Sequence, residues 1–220
     1  MEIDGKCVNI FKSQNEAAPA IYLNTFSGEG AEIYRDLTAS DEFDCTLIEI
    51  TNLNWNHDLS PWASPAIMKN DDPFTGGADE YLNLLTEKII PAAEVDIKPI
   101  FRGLAGYSMA GLFAIYATYR TDKFSRVASM SGSLWFPNFI DFLKSNQMIR
   151  IPDKMYLSLG DKESKTKNKY LSQVMTCTET VHNCCKDLNI STLFEVNSGG
   201  HLTEVNQRQI AGIKYILSNN

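Results

Sequence analysis

The chain has 220 residues, 44% hydrophobic and 21% charged, with a net charge of −7 at pH 7 and a pI near 5.0. Such a balance belongs to a soluble globular chain long enough to bury a core, and residues 1–220 read as a single domain. The acidic charge argues against nucleic acid or an anionic membrane as a partner, because both reward clustered Lys and Arg.

The first six residues, Met-Glu-Ile-Asp-Gly-Lys, form no apolar signal region, and no window approaches a membrane-spanning length. Five cysteines (Cys7, Cys45, Cys177, Cys184 and Cys185) are an odd number without a disulfide-like rhythm. A reducing, cytoplasmic home is the expectation. Nothing in the residues indicates an oligomeric state.

In chain order, Cys7–Lys12 reads as a first strand, at an edge, and Ala20–Asn24 as a second, ending in the loop Thr25-Phe26-Ser27-Gly28-Glu29-Gly30. Ala31–Leu37 suits a short helix and Cys45–Ile50 a third strand. Residues 52–77 have no clear period and predict a long irregular segment, of the kind that often serves function. A helix follows Gly76-Gly77, with Asp79 and Glu80 in its first turn, an apolar face of Tyr81, Leu84, Leu85 and Ile89, and Pro91 beyond its end.

Ile100–Ala105 reads as a short buried strand and Leu112–Ala117 as the helix after it. Val127–Met130 and Met155–Leu159 are further buried strands, with a helix over Asn138–Ser145 between them. Leu171, Val174, Met175, Thr178, Val181, Cys185 and Leu188 recur at helical spacing. Thr192–Val196 is a last strand, Gly199-Gly200-His201 a turn, and Val205–Leu217 a closing helix. Strands alternating with helices predict an α/β fold with a mostly parallel sheet covered on both faces.

The chemistry centres on Gly106-Tyr107-Ser108-Met109-Ala110-Gly111, between a strand and a helix. A serine on such a tight turn, with small residues two before and two after, has the pattern of a nucleophile elbow. The small neighbours let strand and helix pass closely, and the helix aims its free N–H groups at any oxyanion formed there. The fifth position is Ala110 rather than the usual glycine, which leaves Gly111 one residue later. The plainer reading of Ser108 is a helix N-cap.

A serine nucleophile needs a base and an acid to orient that base. Of three histidines, His201 stands where such a base belongs, after a late strand and before the last helix. Its plainer reading is a solvated loop residue. His182 lies inside a regular helix and reads as structural, while His57 reads as a pocket edge or a solvated side chain. Asp161 and Glu163 in Gly160-Asp161-Lys162-Glu163 are both candidate acids, with Glu163 at the usual spacing and Asp161 the fallback.

The oxyanion hole is expected from the backbone N–H groups of Met109 and Phe26, with Thr25 second to Phe26. Ser27–Gly30 lacks a phosphate-binding pattern. His182-Asn183-Cys184-Cys185 lacks a second ligand pair for a metal. Cys185, on the apolar stripe, reads as a small core residue.

Four motifs carry a family resemblance: Gly106–Ala114, Ser131-Gly132-Ser133-Leu134-Trp135, Leu159–Glu163 and Gly199-Gly200-His201. From about Ile21 to the final helix, the chain resembles the putative esterase family of α/β-hydrolases. That family includes enterochelin esterase-like proteins, feruloyl and acetyl esterases and S-formylglutathione hydrolases. The resemblance implies an α/β-hydrolase fold without a large cap domain, and a serine esterase without metal or organic cofactor. Ser108 would be nucleophile, His201 base and Glu163 or Asp161 the acid.

The substrate would be a small-molecule ester of a small acyl group, an aromatic acid, a sugar or a siderophore lactone. Trp55, His57, Trp62 and Trp135 would line its pocket, with ordinary core or anchoring roles as the alternative for the tryptophans. Acyl transfer, thioester hydrolysis or a binding module that lost catalysis are the competing functions.

Overall fold

The computed structural model describes residues 1–40 and 42–218. Its first half contains β1 (Glu2–Ile3), β2 (Lys6–Phe11), β3 (Ala20–Asn24), α1 (Gly30–Leu37), β4 (Thr46–Thr51), α2 (Trp55–Asp58), β5 (Ala63–Ser64), β6 (Phe74–Thr75), α3 (Ala78–Leu84) and α4 (Ile90–Ala93). The second half contains β7 (Arg102–Tyr107), α5 (Met109–Ala117), β8 (Arg126–Met130), α6 (Phe139–Ser145), β9 (Lys154–Gly160), α7 (Val174–Asp187), β10 (Ser191–Asn197) and α8 (Val205–Leu217).

Eight strands form one sheet in the order β1-β2-β4-β3-β7-β8-β9-β10. From β4 to β10 every neighbouring pair is parallel, while β2 runs antiparallel to β4 and β1 antiparallel to β2. This is the mostly parallel sheet that the alternation predicts and the α/β-hydrolase fold that the resemblance implies, with no large cap domain among the described residues.

All five residues of β3 are buried because both faces of the sheet are covered. The pleat sends alternate side chains to two cores. Ile21 and Leu23 join Ala105, Met130, Ile213 and Ile216 on the face of α1 and α8. Ala20 and Tyr22 join Leu104, Phe113 and Leu157 on the other face, which α5 and α7 cover. Cys185 is fully buried in that second core, and all five cysteines are free. No helix among the described residues is long and apolar enough to cross a membrane.

Three local expectations shift. The helix expected to stop before Pro91 continues through it, as α3, a π-helical turn over Leu85–Ile89, and α4. Proline lacks the N–H and clashes with the carbonyl four residues back, and the wider π turn ahead of it absorbs both defects. The strand expected over Ile100–Ala105 begins two residues later, because Ala20 of β3 pairs with Arg102. Ile100 is left exposed, and the charge of Arg102 is met by a fork to Glu94 at 2.7 and 2.6 Å. The irregular segment 52–77 contains α2 and the antiparallel pair β5–β6.

Strand order reverses between β3 and β7, so the loops leaving their carboxyl ends part there and open a crevice, the usual ligand position in such sheets.

Candidate active site

Tyr107 ends β7 and Met109 begins α5, so the whole reversal falls on Ser108, at φ 58° and ψ −121°. A left-handed φ on a residue with a Cβ costs about 1–3 kcal/mol and persists only where its surroundings hold it. The serine N–H is held by Met130 O at 3.0 Å, and its carbonyl accepts from Ser133 N–H at 3.0 Å. Ser108 occupies the N-cap position of α5 but makes no side-chain cap bond. Its Oγ lies 3.0 Å from His201 Nε2 instead.

The surrounding small residues divide the close contacts between them. A Cβ on Gly106 would fall 2.5 Å from Ala110 Cβ, so glycine at 106 is what admits alanine at 110. A Cβ on Gly111 would stand 3.0 Å from Gly132 Cα and 2.8 Å from Ser129 Oγ. The glycine displaced from the usual fifth position therefore still lets the helix approach β8.

His201 arrives from the loop after β10, and its Nδ1 lies 2.7 Å from Glu163 Oε2. Glu163 reaches it because the loop after β9 turns at once, with Glu163 N–H on Gly160 O at 3.1 Å. Its side chain is only 5% exposed. Burial pushes the carboxyl up, but the hydrogen bonds from His201, the Gly160 N–H (2.6 Å) and the Ser131 hydroxyl (2.8 Å) outweigh it. The balance leaves Glu163 below the ordinary carboxylate value.

The structure thus brings Ser108, His201 and Glu163 into one hydrogen-bonded row. Asp161, the alternative acid, does not join it. Its Oδ1 accepts the Gly199 N–H at 2.7 Å and ties the loop of His201 to that of Glu163.

The loop Thr25–Gly30 runs beside the elbow, since Asn24 and Gly106 are paired in the sheet. Glu49, fully buried on β4, holds this loop through Thr25 Oγ1 (2.8 Å) and Gly30 N–H (2.6 Å). The N–H groups of Met109 and Phe26 have no acceptor among the described residues. They are free to bind a ligand oxygen.

Two clefts meet at Ser108 and His201. The larger, about 640 Å³, is walled by Trp55, Phe74 and Trp135, with Asn56, Asp71 and Asp72 among its polar residues. The smaller, about 460 Å³, lies toward Phe26, Leu202 and Val205. Trp55 borders both, and its ring meets Phe26 edge to face at 5.2 Å.

Two expected pocket residues lie elsewhere. Trp62 donates its indole N–H to Pro137 O at 3.0 Å and packs on Phe136 and Phe142, as an anchor of the 52–77 segment. His57 bonds Thr75 Oγ1 at 2.7 Å and seats its ring against Gly77, where any Cβ would lie 2.4 Å from Nε2. Segment 52–77 is further held by the Lys6–Asp58 ion pair and by Asn168 on Ile67 O at 2.7 Å. These bonds spend Trp62 and His57 on holding the wall up. His182 sits on α7 against Phe194 and lines neither cleft.

Sequence reasoning missed Glu49, Ser131 and Arg208. Arg208 had a signal: it falls on the helical spacing of the inward residues Gly212, Ile213 and Ile216, where an unpaired charge is not tolerated. Among the described residues, no group of three or more His, Cys, Asp or Glu is placed to hold a metal ion.

The fold is that of the α/β-hydrolases, and the strained serine and its row of partners lie at the carboxyl edge of its sheet. Residues 11–202 match the family described as Putative esterase. The chain belongs to that family. The protein YbbA of Bacillus subtilis (strain 168), described as uncharacterized, is 26% identical over 146 residues, and the match spans 64% of this chain and 58% of YbbA.

Among solved structures, an IroE-like serine hydrolase from Shewanella oneidensis superposes with a TM-score of 0.76 at 16% identity, covering 96% of this chain and 75% of that one. Siderophore hydrolase EstA from Aspergillus nidulans gives 0.65 at 18% identity, covering 96% and 89%. At these identities the likeness is one of fold.

Proposed function

We propose that this chain cleaves carboxylic esters through an acyl-enzyme on Ser108. The observation that carries the reading is the row Ser108 Oγ–His201 Nε2 at 3.0 Å and His201 Nδ1–Glu163 Oε2 at 2.7 Å. Ser108 Oγ attacks the ester carbonyl while His201 Nε2 takes its proton. The N–H groups of Met109 and Phe26 receive the oxyanion, and His201 returns the proton to the departing alcohol. Glu163 keeps the imidazole in the tautomer with hydrogen on Nδ1 and stabilises the imidazolium. Water then repeats the sequence on the acyl-enzyme.

The cleft walls bear on the substrate. One side of the ester occupies the tryptophan-walled cleft and the other the apolar cleft. Trp55, Phe74 and Trp135 suit a flat ring, with Asn56 available for hydroxyl groups. Among the described residues no Lys or Arg lines either cleft, whereas Asp71, Asp72 and Glu29 do. An uncharged aromatic or sugar ester is therefore favoured over one carrying a carboxylate beside the scissile bond.

Intact-mass analysis after a fluorophosphonate probe tests the mechanism. One adduct mapped to Ser108, and none in His201→Ala, is the expected result. A folded sample that takes no adduct overturns it. Matched neutral and carboxylate-bearing aryl esters then test the cleft reading, with faster turnover of the neutral ester expected.

A further inference from the structure

One buried cation lies directly behind the row and takes no part in the steps above. Arg208 projects from α8 with its side chain 2% exposed. Its Nη1 donates to Glu163 Oε1 at 3.1 Å, to Ser131 Oγ at 3.1 Å and to Tyr107 Oη at 3.2 Å. Its Nη2 donates to Ser198 O at 3.1 Å. Tyr107 ends β7, Ser131 follows β8, Glu163 lies in the loop after β9, and Ser198 follows β10. A single guanidinium therefore ties together the carboxyl ends of four neighbouring strands.

The bonds around Glu163 divide its two oxygens. Oε1 accepts from the Gly160 N–H, the Ser131 hydroxyl and Arg208. Oε2 is left to His201 Nδ1. Arg208 also fixes the hydroxyl of Tyr107, which donates to His201 O at 2.7 Å and so sets the position of the histidine backbone. There is no slack in the cluster: a Cβ on Gly160 would meet Gly199 O at 2.4 Å, Glu163 Oε1 at 3.0 Å and Arg208 Nη2 at 3.1 Å.

Packing alone does not require an arginine here. A buried charge is costly, and an apolar side chain of like volume often serves stability as well. Arg208 Nε has no partner among the described residues, so the site is not built round the needs of the guanidinium. The fork is what matters, because an ammonium cannot reach acceptors on four segments with planar geometry.

We infer that Arg208 is a positioning residue for the ester cleavage proposed above: it locks the rotation of the Glu163 carboxylate and, through Tyr107, the seat of His201. The inference rests on that reading of Ser108, His201 and Glu163. The titratable and charged groups packed round the carboxylate are His201 after β10, Tyr107 on β7 and Arg208 on α8, with Asp161 and its partner Lys165 on the same loop.

The test is kcat and KM for p-nitrophenyl acetate across the pH range, with thermal unfolding, in Arg208→Met, Arg208→Lys and Tyr107→Phe. Arg208→Met is expected to lower kcat about 10- to 100-fold with KM within about twofold. Without the neighbouring positive charge the imidazolium–carboxylate pair holds its proton longer. The acid limb of kcat/KM then moves to higher pH by about half a unit to one unit. Arg208→Lys keeps the limb in place and recovers only part of kcat. Tyr107→Phe lowers kcat less and leaves the limb unmoved.

Wild-type kcat and an unmoved limb in folded Arg208→Met overturn the role, as does a loss that merely follows the folded fraction. Should that variant not fold, wild-type kcat in both Arg208→Lys and Tyr107→Phe overturns it. Full activity in Ser108→Ala overturns the reading of the site itself, which keeps the two failures apart.

Discussion

His201 and His57 begin from similar circumstances. Their side chains are 40% and 38% exposed. Each Nδ1 has an oxygen partner at 2.7 Å, Glu163 for one and Thr75 for the other. Each also has a carboxylate nearby, and there the likeness ends. Glu163 is 5% exposed and held by three further donors, whereas Glu80 is 85% exposed and stands 3.7 Å from His57. The second nitrogen of His201 faces a strained serine. A histidine becomes a useful base when its acid is immobilised and its other nitrogen meets a nucleophile; proximity to a carboxylate is not enough.

The comparison breaks most readily at the histidines themselves. His201→Ala and Ser108→Ala are each expected to lower kcat for a neutral aryl ester by about 10⁵- to 10⁶-fold, and His57→Ala to change it less than about twofold. Comparable losses at both histidines would show that the contrast in their surroundings is irrelevant.

Glu163→Gln sharpens the contrast at the carboxylate, with an expected loss of about 10³- to 10⁴-fold in kcat. The same variant has a signature in stability. Because the folded Glu163 titrates below its ordinary value, its contribution is complete above the ordinary value of about 4.3 and is lost as pH falls through the lower folded value. Denaturant midpoints should therefore fall less steeply below about pH 4 in Glu163→Gln than in the wild type. Parallel curves would remove the electrostatic part of the account.

Two of the three tryptophans of the expected pocket supply the next contrast. Trp135→Ala should raise KM for a ring-bearing ester about tenfold while small acetates change little. Trp62→Ala should spare KM and cost about 2–4 kcal/mol of stability, measured by denaturant unfolding. Reversed effects would exchange cleft wall and anchor. Smaller still, Asp161→Ala frees the Gly199 N–H and is expected to lower kcat about three- to tenfold, roughly the worth of one hydrogen bond. Glu80→Gln completes the series, with stability changed by less than about 0.5 kcal/mol.

Much of this was legible in the residues because it is local. Gly106–Gly111 placed a serine between strand and helix, and Gly199-Gly200-His201 put a histidine after the last strand. The alternation of apolar runs with helical periods anticipated a parallel sheet. The errors lay where distant segments compete for the same side chain. Pro91 looked like a stop until the π turn ahead of it relieved the clash. Trp62 and His57 looked like pocket residues until Pro137, Thr75 and Gly77 claimed them.

Residue order and spacing alone were sufficient for the kind of fold, the elbow and the pairing of Ser108 with His201, since each depends on short-range sterics and on loops that share one edge of a parallel sheet. Spacing also preferred Glu163 to Asp161, and the structure places Glu163 rather than Asp161 on His201. Folding in three dimensions divided the clefts at Trp55 and brought Arg208 under four strand ends. Those outcomes turn on which segments meet in the buried interior, which is not written in the spacing of residues along the chain.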